Sequence, residues 1–209
     1  MIENLGFSYN EQEKVLNGLS CTMPQGKVSV ICGPSGAGKS TLVKLLLGLY
    51  PVQEGEIHIG DQTYAEIGLQ QLRASCGYVP QSIYLFRDTI EMNIRCSNEC
   101  ATFDEVMKAA KIAGAHEFIM QRPAGYQTVV EEHGTNFSGG EKQRLAIARI
   151  VLKDAGVIIL DEATNAIDLG RESEVHDCLR SQAQSGKTVI IIAHRESALT
   201  LADNVIRIV

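Results

Sequence analysis

The segment GPSGAGKST, residues 33–41, constrains the fold of this 209-residue chain more than any other feature. It satisfies the pattern G-x-x-x-x-G-K-[ST], follows the apolar run VSVIC and opens the helix-like stretch TLVKLLLGL. Glycines allow such a loop to curl so that successive backbone N–H groups point inward, and the start of the helix adds a partial positive charge. The segment therefore predicts a strand, a phosphate-binding loop and a helix, in that order.

Each residue of this loop has an expected contact with a nucleotide. Lys39 would reach the β- and γ-phosphates, and the Ser40 hydroxyl would ligate Mg²⁺. The remaining residues would form the phosphate cradle: Gly33, Pro34, Ser35, Gly36, Ala37, Gly38 and Thr41. Downstream, the run VIILDE ends in the adjacent carboxylates Asp161 and Glu162. Ligands of open α/β sheets bind where the strands end, so we expect Asp161 to hold Mg²⁺ through water and Glu162 to take a proton from an attacking water.

The hydrophobic pattern predicts a mainly parallel α/β sheet with helices on both faces. The runs KVSVIC, GVIILD and KTVIIIAH are continuously apolar, as expected of strands covered on both faces. Earlier segments alternate apolar with polar residues, which predicts an N-terminal antiparallel β-subdomain. Over residues 82–145 the pattern becomes helical, and Thr102 and Glu105 stand at capping-box spacing. We therefore predict one domain over 1–209, with an α/β core in 1–81 and 146–209 and an inserted helical subdomain in 82–145.

The composition excludes several other classes of protein. The formal net charge is −6 and no basic block of five residues occurs, which argues against a nucleic-acid partner. No apolar run is long enough to cross a membrane. The six cysteines have no CxxC spacing, so we expect reduced thiols and neither a zinc site nor a disulfide framework. The abrupt start and the strand-like ending NVIRIV favour a piece excised from a longer polypeptide, with a short natural subunit as the alternative.

The segment NFSGGEKQRLAIAR, residues 136–149, resembles the signature LSGGQ-x-QR of ATP-binding-cassette (ABC) ATPases, and the resemblance extends over essentially the whole chain. It implies a P-loop NTPase fold and ATP with Mg²⁺ as ligands. It also implies that Tyr9 stacks on the adenine and that Gln81 contacts Mg²⁺ and the attacking water. Asp168 would lie along a dimer seam, and His194 would contact the γ-phosphate. With Lys39 and Glu162, Gln81 and His194 complete the expected catalytic set.

In the family that this chain resembles, two cassettes bind head to tail, with each ATP between the phosphate loop of one and the signature of the other. Ser138, Gly139 and Gly140 provide a hydroxyl, close backbone approach and a helix N-terminus, which suit the γ-phosphate of the partner's ATP. Two residues depart from the pattern: Phe137 replaces the usual Leu, and Glu141 replaces the usual Gln. Glu141 suits the helix dipole but places a negative charge near phosphate.

Weaker signals indicate an exporter-type cassette. The stretch SIYLFRDTIEMNI is similar to the LF-x-x-TI-x-x-NI segment that docks the coupling helices of a transmembrane domain. Without that resemblance, Leu85, Phe86 and Ile90 are interpreted as an apolar patch of the helical insertion. EEHGTNFSGG is similar to the exporters' GERG segment, with His133 in place of Arg. The resemblance thus implies a second cassette and a transmembrane domain as partners, at the cytoplasmic face of a membrane. The alternative is a soluble ATPase that acts in assembly or repair.

Overall fold

The computed structural model describes residues 1–10, 13–161, 172–193 and 196–209. The predicted site residues Glu162, Asp168 and His194 lie outside the described residues. The strands are β1 (Ile2–Phe7), β2 (Leu16–Cys21), β3 (Val28–Cys32), β4 (Glu54–Ile59), β5 (Gln62–Thr63), β6 (Cys76–Val79), β7 (Val157–Asp161), β8 (Thr188–Ile192) and β9 (Asn204–Arg207). The helices are α1 (Lys39–Leu46), α2 (Tyr64–Ile67), α3 (Leu69–Ser75), α4 (Ile90–Arg95), α5 (Phe103–Ile112), α6 (His116–Met120), α7 (Gly139–Lys153) and α8 (Glu172–Gln184).

The strands form one antiparallel and one parallel sheet. The antiparallel sheet has the order β2-β1-β4-β5, and the parallel sheet has the order β6-β7-β8-β3-β9. In the parallel sheet, neighbouring strands are far apart in sequence, as crossover connections require. The predicted fold class, a mainly parallel α/β sheet with an N-terminal antiparallel sheet and a helical insertion, is confirmed.

The parallel strands bury side chains on both of their faces, as their apolar runs predicted. In β7, Ile158 and Leu160 point into one hydrophobic cluster, whereas Ile159, which lies between them, points into the other. β8 alternates in the same way, because successive side chains of a strand point to opposite faces. One cluster continues into helices α4 to α8, and the other continues into α1 and the antiparallel sheet.

The helical region between β6 and β7 is built around α7, which packs against α4, α5 and β6. The predicted capping box at the start of α5 is present, since Thr102 accepts from the Glu105 backbone and the Glu105 side chain accepts from Thr102. Helix α5 ends just before Gly114, which has a φ of 65°. The division of the chain at residues 82 and 145 stays a prediction, and α7 passes through residue 145.

Candidate functional site

The phosphate loop leaves β3 and enters α1 at Gly38, the N-cap residue. Gly36 and Gly38 have φ values of 85° and 91°, a region that favours glycine. A Cβ atom on Gly38 would lie 2.7 Å from Leu16 Cδ2 and 3.0 Å from the Val15 carbonyl oxygen, so a side chain would clash there. The loop is thus held in a curled conformation at the N-terminus of α1, where backbone N–H groups lack helical partners.

Lys39 is the first residue of α1 and is only 5% exposed. Its ammonium group donates hydrogen bonds to the carbonyl oxygens of Gly33, at 2.9 Å, and Pro34, at 2.8 Å. Within the described part of the chain, no carboxylate forms an ion pair with Lys39. A buried cation that is held by carbonyl dipoles alone is electrostatically suited to an anionic ligand.

A cavity of about 260 Å³ lies directly over the loop. Its lining consists of loop and α1 residues together with one residue before β2: Val15, Ser35, Gly36, Gly38, Lys39, Ser40 and Thr41. The exposed Ser40 offers a hydroxyl oxygen, a ligand type that Mg²⁺ accepts. The donor set therefore fits a phosphate group that carries a divalent cation.

Tyr9 lies beside this cavity and is 48% exposed. Its hydroxyl is 3.1 Å from Thr41 Oγ1, and it accepts a hydrogen bond of 3.3 Å from Lys44 Nζ. Phe7 and Tyr50 pack edge-on against the ring, with centroids 5.0 and 5.4 Å away. The structure thus brings Tyr9 next to the phosphate loop, with an exposed aromatic ring where a base could stack.

Two other predicted site residues lie at the carboxyl ends of neighbouring parallel strands. Gln81 comes two residues after β6, and Asp161 ends β7, which lies next to β6 in the sheet. Asp161 accepts a hydrogen bond of 3.2 Å from the Tyr78 hydroxyl. Burial, together with the charge and the hydrogen bond of Asp161, raises the pKa of Tyr78 to about 12. Tyr78 therefore stays protonated and donates to the carboxylate, a contact that the sequence analysis missed.

Ser138 is the N-cap of α7 and, with Gly139, is exposed, whereas Gly140 is half-buried. The Ser138 backbone N–H and hydroxyl donate to Glu141 Oε2 at 2.8 and 2.9 Å, and the Ser138 hydroxyl accepts from the Glu141 N–H at 3.3 Å. This is a capping box, and the spacing S-x-x-E was a sequence signal for it that the sequence analysis did not use. Among the described residues, none from the signature lines the cavity over the phosphate loop.

Arg122 contacts the signature from the segment after α6, and the sequence analysis missed it as well. Its guanidinium donates to Glu141 Oε1 at 3.0 Å and lies 3.9 Å from the centroid of the Phe137 ring. Burial acts to raise the pKa of Glu141, but the hydrogen bonds from Ser138 and Arg122 and the charge of Arg122 hold it below its usual range. No pattern in the sequence relates Arg122 to the signature, since the two are joined only by the fold.

The predicted docking segment needs a correction. Leu85 and Ile90 are fully buried in the hydrophobic core, so they cannot form a docking patch. The exposed apolar side chains of this segment are instead Tyr84, Phe86 and Met92. The reason is that Leu85 and Ile90 belong to the hydrophobic cluster of the helical region, and Met92 lies on the exposed side of α4.

Comparison with known proteins gives concordant results. The sequence profile of the family described as ABC transporter matches residues 16–165. The heavy metal tolerance protein of Schizosaccharomyces pombe is 44% identical over 203 residues, which cover 97% of this chain and 24% of that protein. The mitochondrial iron-sulfur clusters transporter ABCB7 of Homo sapiens is 44% identical over 204 residues, or 98% of this chain and 27% of that protein.

A solved structure of a bacterial Atm1-family ABC exporter with ATP bound has the same fold. It matches with a TM-score of 0.93 and 42% sequence identity, and the match covers 100% of this chain and 36% of that one. This chain therefore spans about a quarter to a third of the length of these relatives. Tyr9 and His194 fall outside the residues that the family profile matches.

A parallel sheet with a phosphate loop after β3 and a carboxylate at the end of β7 defines a nucleotide-binding domain of the P-loop class. The family profile matches well over half of the chain. The chain belongs to the ABC transporter family, and it corresponds to the ATP-binding, ATP-hydrolysing domain of that family's exporters. The comparisons give no support to the alternative of a soluble assembly or repair factor.

The helices of this domain are short. Within the described ranges, none combines the length and the apolar character that a bilayer span needs.

Proposed function

We propose that this chain binds Mg-ATP at its phosphate loop, dimerises head to tail with a second nucleotide-binding domain around two nucleotides, and hydrolyses them to drive a transmembrane exporter domain. The observation that carries the proposal is the arrangement at the sheet edge. Strands β6, β7, β8 and β3 are adjacent, and in this sheet Gln81 follows β6, Asp161 ends β7 and Gly33 follows β3. Ligands of open α/β sheets bind in this crevice.

The proposed reaction is attack of water on the γ-phosphorus in line with the bond to the leaving ADP oxygen. Glu162 accepts a proton from the water as the new P–O bond forms and the bond to ADP breaks. Lys39 stabilises the charge on the β- and γ-phosphate oxygens, and His194 and Gln81 orient the γ-phosphate and the water. Mg²⁺ would be held by Ser40, Asp161 and Gln81, and it would neutralise phosphate charge.

The signature supports the dimer. Ser138, Gly139 and Gly140 form a polar helix N-terminus, yet they do not line the cavity over the phosphate loop of their own chain. A second copy could use them to hold the γ-phosphate that the first copy presents. Asp168 would lie at the seam between the copies.

The transporter setting is supported by the relatives, which are named as transporters or exporters and are three to four times longer. In that setting Tyr84, Phe86 and Met92 would face a transmembrane domain, and the chain would lie at the cytoplasmic face of the membrane. Asn93 and Arg149 fix the backbone from which these side chains project, since Arg149 donates to the Tyr84 carbonyl at 2.7 Å.

The substitution Glu162→Gln tests the assignment of the base. It keeps the size and polarity of the side chain but removes the group that accepts the proton, so ATP should still bind while turnover falls by at least about a hundredfold. Light scattering with and without Mg-ATP should then detect a stable dimer of the variant. The exposed Glu99→Gln substitution is the matched control and should leave both properties unchanged. Near-normal hydrolysis by Glu162→Gln would refute the assignment.

A further inference from the structure

The signature of this chain carries a carboxylate bonded to Ser138, the residue that is expected to contact a phosphate. Glu141 Oε2 accepts hydrogen bonds from both the N–H and the hydroxyl of Ser138. The one hydrogen of this hydroxyl is therefore donated within its own chain, so the hydroxyl could donate to a partner's γ-phosphate only after it turns away from Glu141. An unbalanced negative charge here would repel the triphosphate, because both groups are anionic and would lie close together in the proposed dimer.

The second oxygen of the same carboxylate is bound by Arg122. Arg122 Nη2 donates to Glu141 Oε1 at 3.0 Å and to the Asn136 carbonyl oxygen at 3.3 Å. Only 22% of the Arg122 side chain and 20% of the Glu141 side chain are exposed, so solvent screens this pair less than a surface ion pair. The contact therefore places one positive charge directly behind the tip of the signature.

The position of Arg122 is fixed from two sides. Its guanidinium lies over the ring of Phe137, with 3.9 Å between the guanidinium carbon and the ring centroid. Its backbone N–H donates to the Ile119 carbonyl, and its own carbonyl accepts from Gly125, so the segment after α6 is held in place. Phe137 and Glu141, the two departures from the usual signature, thus both contact the same arginine.

We propose that Arg122 is a positioning residue of the signature site, which neutralises Glu141 and fixes the start of α7 at Ser138, where the triphosphate bound by a second copy of this chain would meet it. The inference rests on the proposed function, since it requires that Ser138 meets a nucleotide across a dimer. Arg122 acts through Glu141 and Ser138 and touches no phosphate itself. The proposed signature site is then a chain of contacts from Arg122 through Glu141 to Ser138. The capping box of α7, formed by Ser138 and Glu141, is part of this chain.

The test compares four proteins in the Glu162→Gln background: the parent, Arg122→Gln, Glu141→Gln and the double variant Arg122→Gln/Glu141→Gln. The measurement is the Mg-ATP concentration that gives half-maximal dimer by light scattering. Arg122→Gln should raise this concentration roughly tenfold, because a charged hydrogen bond is lost and a negative charge is left unbalanced. The double variant should need close to the same Mg-ATP concentration as Glu141→Gln alone, because the carboxylate that Arg122 neutralises is then absent.

Further measurements separate this role from a purely structural one. Binding of ATP to the phosphate loop of the monomer, measured at high dilution, should be unchanged in Arg122→Gln. The exposed Arg87→Gln variant is the matched control and should behave like the parent. Arg122→Lys should recover part of the dimerisation, because it keeps the charge but loses the flat contact with Phe137.

Two results would overturn the inference while the parent protein still dimerises with Mg-ATP. The first is an Arg122→Gln variant with the parent's nucleotide requirement. The second is a double variant as impaired as Arg122→Gln, which would mean that the lost packing and not the charge is responsible. If the parent itself fails to dimerise, the proposed function fails first, and the inference fails with it.

Discussion

At the scale of single residues, Lys39 shows how a side chain that is costly to bury can serve ligand binding. Its ammonium group is buried, and two carbonyl oxygens of its own loop accept its hydrogen bonds. The carbonyl oxygens accept from two of the three N–H donors and do not cancel the charge, so an anion that enters the loop should lower its free energy further. We therefore expect Lys39 to favour phosphate binding before any catalytic step takes place.

Tyr9 gives the first prediction at this scale. Tyr9→Ala removes the exposed ring beside the cavity, and loss of a base–aromatic stack costs about 1–3 kcal/mol, so ATP affinity should fall by about fivefold or more. Tyr9→Phe keeps the ring and loses only the hydroxyl contacts with Thr41 and Lys44, so its affinity should stay close to the original. Fluorescence anisotropy of a ribose-labelled ATP at high protein dilution measures both.

The exposed Tyr84→Ala substitution controls for the general effect of removing a surface tyrosine. Equal affinities of Tyr9→Ala and the original protein would exclude Tyr9 as the adenine contact.

Local spacing explains which residues could be predicted. The phosphate loop and the α5 capping box are patterns within nine residues or fewer, so their geometry is set by neighbours in the chain. Arg122 and Tyr78 act on Glu141 and Asp161, which lie 19 and 83 residues away, and only the fold brings them together. The sequence contains no spacing that relates such pairs.

At the scale of elements, strands with a clear local hydrophobic pattern were predicted, whereas strand β6, which depends on tertiary packing, was not. The runs that became β3, β7 and β8 are continuously apolar, and each was predicted to within two residues at either end. Strand β6 was not predicted, because it is short and contains Gly77. A Cβ atom at Gly77 would lie 2.7 Å from Ile150 Cγ2, so the glycine is required for the close packing of α7 on this strand.

Helix α4 and the turn before it depend on the buried amide of Asn93. Its Oδ1 accepts from the Phe86 N–H at 2.8 Å and from Arg149 at 2.7 Å, and its Nδ2 donates to the Phe86 carbonyl at 2.9 Å. Asn93→Ala would leave the Phe86 N–H without this acceptor and would remove one of the three acceptors of Arg149, so we expect a loss of about 1–3 kcal/mol in the free energy of unfolding. Urea denaturation followed by circular dichroism provides the measurement.

Asn98→Ala is the matched control, because Asn98 is exposed a short distance away and its side chain has no hydrogen bond within the described residues. It should change the free energy of unfolding by less than about 0.5 kcal/mol. If Asn93→Ala is no more destabilising than Asn98→Ala, the amide does not hold the turn.

At the scale of the whole molecule, the parallel sheet divides the interior and orients the site. Along β3, β7 and β8, alternate side chains point into one or the other of the two hydrophobic clusters, so both clusters depend on the same three strands. The phosphate loop leaves the carboxyl end of this sheet, whereas the signature starts α7 in the helical region. One chain thus presents the phosphate loop and the signature in two separate places, as the proposed head-to-tail pair would require.

A mixing experiment follows from this arrangement. Lys39→Ala disables the phosphate loop of one copy, and Ser138→Arg blocks the signature of another, so each variant alone should hydrolyse little ATP. In a mixed dimer, the intact loop of the Ser138→Arg copy faces the intact signature of the Lys39→Ala copy, and one complete site forms. An equimolar mixture should therefore recover roughly a quarter of the original rate, because half of the dimers are mixed and one of their two sites is complete. As a control, a copy that carries both substitutions should rescue neither single variant. If the mixture of Lys39→Ala and Ser138→Arg hydrolyses ATP no faster than the average of the two variants alone, each nucleotide is bound and hydrolysed within a single chain.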